Sequence, residues 1–324
     1  MDLPCYHDVV DARVRIAGHV VRTPMLRHPG LDKLVGGTVL LKAETLQRTG
    51  SFKLRGATNA VRRLDTNALA RGVVAFSSGN HGQAVACAAA AMGAQATVFM
   101  PADAPQIKLE STRGWGAEVI TYNRATDDRD ALTADFAART GAVLIPPFDH
   151  IDVIAGQGTL ALELAEDAAN AGLSLDAMLV CTGGGGMLAG CALALEGASP
   201  DTLLYAVEPT GWDDTARSLA AGERQGNAPG GSLLCDSLLS AMPGEMTFAL
   251  NRPRVAGGIS VSDVEVLAAM RFAFLHLKLV VEPGGAVCLA ALLSGRFAAR
   301  GQVVGAVLSG ANVDQAVFAR ALAG

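Results

Sequence analysis

Apolar residues along this chain fall into short runs rich in valine, isoleucine and leucine. Longer stretches dominated by alanine separate them. The runs TVLLKAE (38–44), GVVAFS (72–77), QATVFM (95–100), AEVITY (117–122), AVLIPP (142–147), AMLVCT (177–182), LLYAVEP (203–209) and VVGAVLSG (303–310) predict strands. They read as continuous apolar runs, as strands do when helices cover both faces of a sheet. Between them, HGQAVACAAAAM (81–92), QIKLESTRGW (106–115) and DDRDALTADFAART (127–140) predict helices. This βαβα alternation predicts an α/β protein with mainly parallel sheets. Eight strands over this length imply two sheets and two lobes. The segment 72–149 carries four strand–helix units and reads as a small domain inserted into a larger one built from 1–71 and 150–324. The stretch GERQGNAPGGS (222–232) breaks the pattern and reads as a loop. No internal repeat is present.

Composition narrows the class. Of the 324 residues half are hydrophobic and only 5% aromatic, so a large core must be built mostly from Ala, Val and Leu. A net charge of −5 with no basic patch argues against a nucleic-acid partner. The N-terminus MDLPCYHDVVDARVRI has no apolar core of a signal peptide, and no apolar run reaches membrane-span length. Cys5, Cys87, Cys181, Cys191, Cys235 and Cys288 form no CxxC pair and are expected to be reduced thiols of a cytoplasmic protein. The histidines show no HxxxH or HExxH spacing, so no zinc site is expected.

Four segments fall at or just after strand ends, where open parallel sheets bind ligands. In TGSFKLRGA (49–57), Lys53 opens the helical stretch LRGATNAVRRL in a chain with only five lysines. A helix N-terminus disfavours an ammonium, so Lys53 is either a solvated side chain or a nucleophilic amine able to form a Schiff base. SSGNHG (77–82) sits at a strand-to-helix turn: either Ser and Asn cap the helix, or the turn receives an anion such as a carboxylate. CTGGGGMLAG (181–190) follows a strand and precedes a helix, and four successive glycines let backbone N–H groups converge on a phosphate. It lacks the Gly-Lys-Ser/Thr of a P-loop. LSGAN (308–312) places Ser309 at a strand's carboxyl end, where it serves either a turn or a contact to a ring nitrogen. Together the four ask for a phosphate, a carbonyl that accepts lysine and a heteroaromatic ring, which pyridoxal phosphate combines.

The order S-F-K-x-R-G-A, S-S-G-N-H-G-Q-A, G-G-G-G-M, V-E-P and S-G-x-N-V-D resembles the serine/threonine dehydratase and serine racemase family, pyridoxal-phosphate enzymes of fold type II, over residues 20 to 315. The resemblance implies that Lys53 carries the cofactor and serves as the catalytic base. Phe52 would pack beside the ring, Asn80 would contact its phenolic oxygen, Gly183, Gly184, Gly185, Gly186 and Met187 would cradle the phosphate, and Ser309 would meet the pyridine nitrogen. Ser77, Ser78, Asn80 and His81 would hold the substrate carboxylate, with Arg129 of TDDRDAL assisting or else merely solvated. Glu208 and Asp214, with the Trp212 carbonyl, match the family's cation stretch for Mg²⁺ or Ca²⁺; the alternative is that these acids cap the helix DDTARSLAAG.

A neutral hydroxyl at Ser309 cannot hold the ring nitrogen protonated as an aspartate would. That weakens the electron sink and favours β-elimination from a 3-hydroxy amino acid, giving a 2-oxo acid and ammonia. Ser78 keeps a second activity open, because the corresponding serine in racemases acts as acid/base opposite lysine. A β-replacement synthase shares the fold but usually has another asparagine-loop motif, and a non-catalytic binding protein would have no use for the lysine. The family commonly has A-D-G where this chain has Cys235-Asp236-Ser237, so Ser237 is expected to reshape the side-chain pocket. CDSLLSAMPGEMTFALNR (235–252) with EPGGAV (282–287) resembles dehydratases of hydroxyectoine utilisation, which admits a less usual substrate such as a hydroxyaspartate or a compound from hydroxyectoine breakdown. The chain stops soon after SGANVD, so isoleucine feedback through a C-terminal regulatory domain is not expected. The family is often dimeric, and a homodimer is the expected state.

Overall fold

The computed structural model describes residues 2–77, 79–104, 106–123 and 125–324. Ten strands form two sheets. β1 (Met25–Leu26), β2 (Thr38–Ala43), β7 (Ala177–Cys181), β8 (Leu203–Pro209), β9 (Val255–Val261) and β10 (Val303–Leu308) make a six-stranded sheet in the order β1-β2-β10-β7-β8-β9. β1 runs antiparallel to β2 and every other pair is parallel. β3 (Val73–Phe76), β4 (Ala96–Pro101), β5 (Glu118–Tyr122) and β6 (Val143–Leu144) make a second, all-parallel sheet in the order β5-β4-β3-β6. All eight apolar runs are strands. The helices expected over 81–92, 106–115 and 127–140 occupy Asn80–Ala91, Gln106–Gly114 and Arg129–Thr140, and 222–232 is a loop.

Two strands escaped the pattern. β1 is only two residues long. β9 reads VAGGISV, and its glycines break the apolar run for a packing reason: a Cβ on Gly258 would lie 2.3 Å from the Ala216 Cβ of the helix beneath.

The two cores meet at the helices Lys53–Val61 and Ile151–Asn170. Leu54, Ala57, Ala60, Val61 and Val153 join the core of the second sheet, whereas Ile154, Leu160 and Leu164 join that of the first. The two helices cross with almost no gap. A Cβ on Gly156 would fall 2.6 Å from the Gly56 Cα, and one on Gly56 would fall 2.7 Å from the Val153 carbonyl. Next to this crossing, Arg55 is fully buried between two carboxylates. Its guanidinium donates to both oxygens of Glu44 at 2.8 and 2.9 Å and to both oxygens of Glu163 at 2.8 Å. Lys42, also fully buried, donates to Glu163 at 2.7 Å and to the Thr23 carbonyl at 2.7 Å. Two cations thus balance two carboxylates, with their hydrogen bonds directed at one another. Among the described residues no helix is long and apolar enough to cross a membrane.

Replacing Arg55 by Met leaves two buried carboxylates facing one cation. The expected loss is about 3–5 kcal/mol of folding stability, read as a lower denaturant midpoint. An unchanged midpoint would show that the cluster contributes nothing.

Candidate active site

A cavity of about 260 Å³ opens between the two sheets. Ser77 follows β3, Thr182 follows β7 and Ser309 follows β10, so the cavity lies at the carboxyl ends of strands from both sheets. Among the described residues five helices begin at its wall: in Arg129–Thr140 the Asp128 side chain caps the first turn, and the other four are Lys53–Val61, Asn80–Ala91, Gly186–Ala198 and Pro283–Leu293. Each of these four presents unpaired N–H groups and the positive end of its dipole, which makes the cavity a receptor for anions.

Lys53 is the first residue of its helix, and its amine donates to the Pro147 carbonyl at 2.7 Å. Burial pulls its pKa down to about 8, with the Glu282 carboxylate opposing the shift. The lowered value was expected from the helix terminus; desolvation is the larger cause. Phe52 lies beside it, its ring centroid 5.2 Å from the amine and its N–H bonded to the Ser309 carbonyl at 3.0 Å.

The glycine loop is held from behind. The Gly184 carbonyl accepts from Thr247 Oγ1 at 2.7 Å and the Gly185 carbonyl from Asn251 Nδ2 at 3.3 Å. Among the described residues none supplies an acceptor to the N–H groups of Gly183, Gly184 or Gly185. Gly185 has φ +91°, a left-handed conformation natural only to glycine, and a Cβ on Gly184 would strike the Phe148 ring at 2.4 Å.

At the turn after β3, neither Ser77 nor Asn80 caps the helix. Gly79 occupies the cap and donates to Ser77 Oγ at 2.9 Å, while the Asn80 side chain leaves the helix for Glu282 and Asn312. His81 is bonded to the Ile145 carbonyl at 2.8 Å, and burial drives its pKa down to about 3, so the ring is neutral. What it and Asn80 can offer an anion is the N–H end of their helix. Arg129 lines the cavity, its guanidinium carbon 4.6 Å from the centre of the Phe76 ring. Ser237 also lines it, as do Met187 and Gly186. Ser78 lies outside the described residues.

The cation stretch stands apart from the cavity. Both oxygens of Glu208 are engaged, accepting the Thr215 and Ala216 N–H groups at 2.9 Å, so this acid does cap its helix. Asp214 accepts from Asn227 at 2.6 Å through one oxygen, and its other oxygen is buried without a partner. Burial raises both carboxyls, Glu208 to about 8 and Asp214 to about 6. Trp212 donates its indole N–H to the Ser232 carbonyl at 2.7 Å. Among the described residues no cluster of three or more His, Cys, Asp or Glu is placed to hold a metal.

Several wall residues carried no role in the sequence reading: Phe76, Lys108, Phe148, Asp236 and Glu282. Lys108 is buried and ion-paired with Asp236, bridging a helix of the second sheet to a turn beside the first. Glu282 opens the EPGGAV stretch that carried part of the family resemblance, but nothing in that stretch assigned it a role. Among the described residues, three buried polar atoms of the wall find no protein partner: His81 Nδ1, Ser237 Oγ and Glu282 Oε2. An amine on a helix start, a phosphate-sized set of open N–H groups and these unmet polar atoms fit pyridoxal phosphate and an amino acid together.

The chain belongs to the pyridoxal-phosphate dependent enzymes, whose family sequence model matches residues 16–310. It is similar to an L-threo-3-hydroxyaspartate ammonia-lyase from Pseudomonas sp, 45% identical over 100% of both chains. It is also similar to a serine racemase from Dictyostelium discoideum, 38% identical over 97% of each chain. Its fold matches the crystal structure of a threonine deaminase from T.th. with a TM-score of 0.90 at 42% identity, covering 96% of this chain and 99% of that one.

Gly184→Ala should weaken cofactor binding at least about tenfold, because the new methyl collides with a ring packed behind the loop. Titrating the apo-protein with pyridoxal phosphate measures it, and an unchanged affinity would remove this loop from the phosphate site.

Proposed function

We propose that this enzyme acts on L-threo-3-hydroxyaspartate, releasing ammonia and the corresponding 2-oxo acid. The enzyme is a pyridoxal-phosphate-dependent ammonia-lyase of 3-hydroxy amino acids. When bound, the cofactor supplies an electron sink that makes the α-hydrogen of the amino acid removable. Lys53 anchors the cofactor and afterwards, as a free amine with a pKa of about 8, takes that α-proton. The glycine loop and the start of the helix Gly186–Ala198 hold the phosphate. Phe52, Asn80 and Ser309 bound the ring. The N–H groups that open the helix Asn80–Ala91 hold the α-carboxylate beside Ser77. The β-hydroxyl then departs with a proton, and hydrolysis of the product's C=N bond yields ammonia and the 2-oxo acid.

The observation that carries the substrate is Arg129. It faces the cavity from the first turn of its helix, and its ion pair with Asp130 is long, at 3.6 Å. A guanidinium so weakly engaged is available to a second carboxylate, which hydroxyaspartate has and serine and threonine lack. The free thiols of all six cysteines suit a reducing cytoplasm.

The purified protein, supplied with serine, threonine and 3-hydroxyaspartate isomers, should release 2-oxo acid fastest from L-threo-3-hydroxyaspartate. Lys53→Ala should abolish this turnover. Arg129→Ala should raise KM for hydroxyaspartate at least about tenfold while changing KM for serine much less. Equal loss on both substrates would assign Arg129 to the shared carboxylate. Exchange of enantiomers with little oxo acid would hand the site to a racemase.

We also propose a divalent cation at Glu208, Asp214 and the Trp212 carbonyl. Support comes from the buried, unpartnered oxygen of Asp214 beside a second buried carboxylate. Its work would be to neutralise that pair and brace the helix Asp214–Ala221, away from the chemistry. Mg²⁺ or Ca²⁺ should then raise the melting temperature, and Asp214→Asn should erase the increase. A melting temperature indifferent to either cation would leave Glu208 as a helix cap alone.

A further inference from the structure

Glu282 immediately precedes the helix Pro283–Leu293 and is 1% exposed. Its Oε1 accepts Asn80 Nδ2–H at 2.6 Å, and Asn80 Oδ1 accepts Asn312 Nδ2–H at 2.7 Å. Asn312 also donates to the Thr49 carbonyl at 2.9 Å. Only a donor can face a carboxylate, so this chain settles which end of the Asn80 amide points where. Three glycines make room for it. A Cβ on Gly310 would stand 2.1 Å from Glu282 Oε1, one on Gly50 would stand 2.6 Å from Asn312 Oδ1, and one on Gly285 would stand 2.6 Å from the Gly310 carbonyl. The glycines of TGS, SGAN and EPGG therefore serve one carboxylate–amide–amide chain.

We propose that Glu282 is a positioning residue for the cofactor: it fixes Asn80 by one amide hydrogen and leaves the other as the donor for the cofactor's ring oxygen. Its buried, unpartnered Oε2 also places negative charge near Lys53. The charged groups facing it are Lys108 from the helix Gln106–Gly114, Asp236 from the turn Asp236–Leu238, and Lys53. Burial raises the Glu282 pKa to about 7, with Lys108 opposing and Asp236 reinforcing the shift. Protonation below that value leaves a weaker, uncharged acceptor opposite Asn80 and removes the negative charge near Lys53, so the hold on the cofactor slackens as pH falls through about 7.

The test is binding of pyridoxal phosphate to the apo-protein between pH 6 and 9, followed by visible absorption and by thermal unfolding, with no substrate present. Glu282→Ala should weaken binding at pH 8 about tenfold or more, the usual worth of a hydrogen bond to a charged group. Glu282→Gln stays neutral at every pH, so at pH 8 it should already bind as weakly as the parent does below pH 7, and it should lose the weakening near pH 7. Asn312→Ala cuts the far end of the chain and should weaken binding while keeping that pH dependence. Should Glu282→Ala fail to fold, the Gln and Asn312 variants decide. Parental affinity in a folded Glu282→Ala protein, or a parental acid limb in Glu282→Gln, would overturn the proposal. The inference rests on the cofactor occupying this cavity, not on the substrate. A protein that binds the cofactor but ignores hydroxyaspartate would refute the substrate reading alone.

Discussion

The buried ion cluster of Arg55, Lys42, Glu44 and Glu163 is the constraint on which the active site depends. Arg55 sits two residues after Lys53 on the same short helix, and its guanidinium is clamped between a carboxylate following β2 and one on the helix Ile151–Asn170. None of these charges can leave without stranding its partners in a dry interior, so the helix has one permitted position. The glycine crossing at Gly56 and Gly156 fixes its depth. S-F-K-x-R-G-A thus joins three tasks in adjacent residues: a lysine for chemistry, an arginine for registration and a glycine for contact.

A frame held this way allows unfavourable electrostatics at the cavity. Five helix starts converge there among the described residues, and a lysine, a second buried lysine and two acids share one wall. The environment pushes the Lys53 amine down and the Glu282 carboxyl up until their pKa values lie near one another, at about 8 and about 7.

Both sheets contribute to the wall, and their strand ends point to one cavity. Lys108 and Asp236 tie a helix of the second sheet to a turn of the first across that opening. The glycine loop and Ser309 reach the cavity from the first sheet, whereas Ser77, Asn80 and Arg129 come from the second.

The eight apolar runs, the helical stretches between them and the four segments that meet at the cavity were all legible in the sequence, because period and glycine content are local properties. Lys53, Asn80, the glycine loop and Ser309 stood out for the same reason, and the structure brings them to one cavity. β9 was hidden because its glycines answer to a helix packed on it rather than to its own neighbours. Glu282 lies 202 positions from Asn80, so no local pattern announces their bond. Whether Glu208 caps a helix likewise depends on where that helix lies. The sequence by itself determined the class of fold and the chemistry on offer. Only the tertiary structure decided which charges lose water and which meet, because burial and pairing arise from packing between segments distant in the chain.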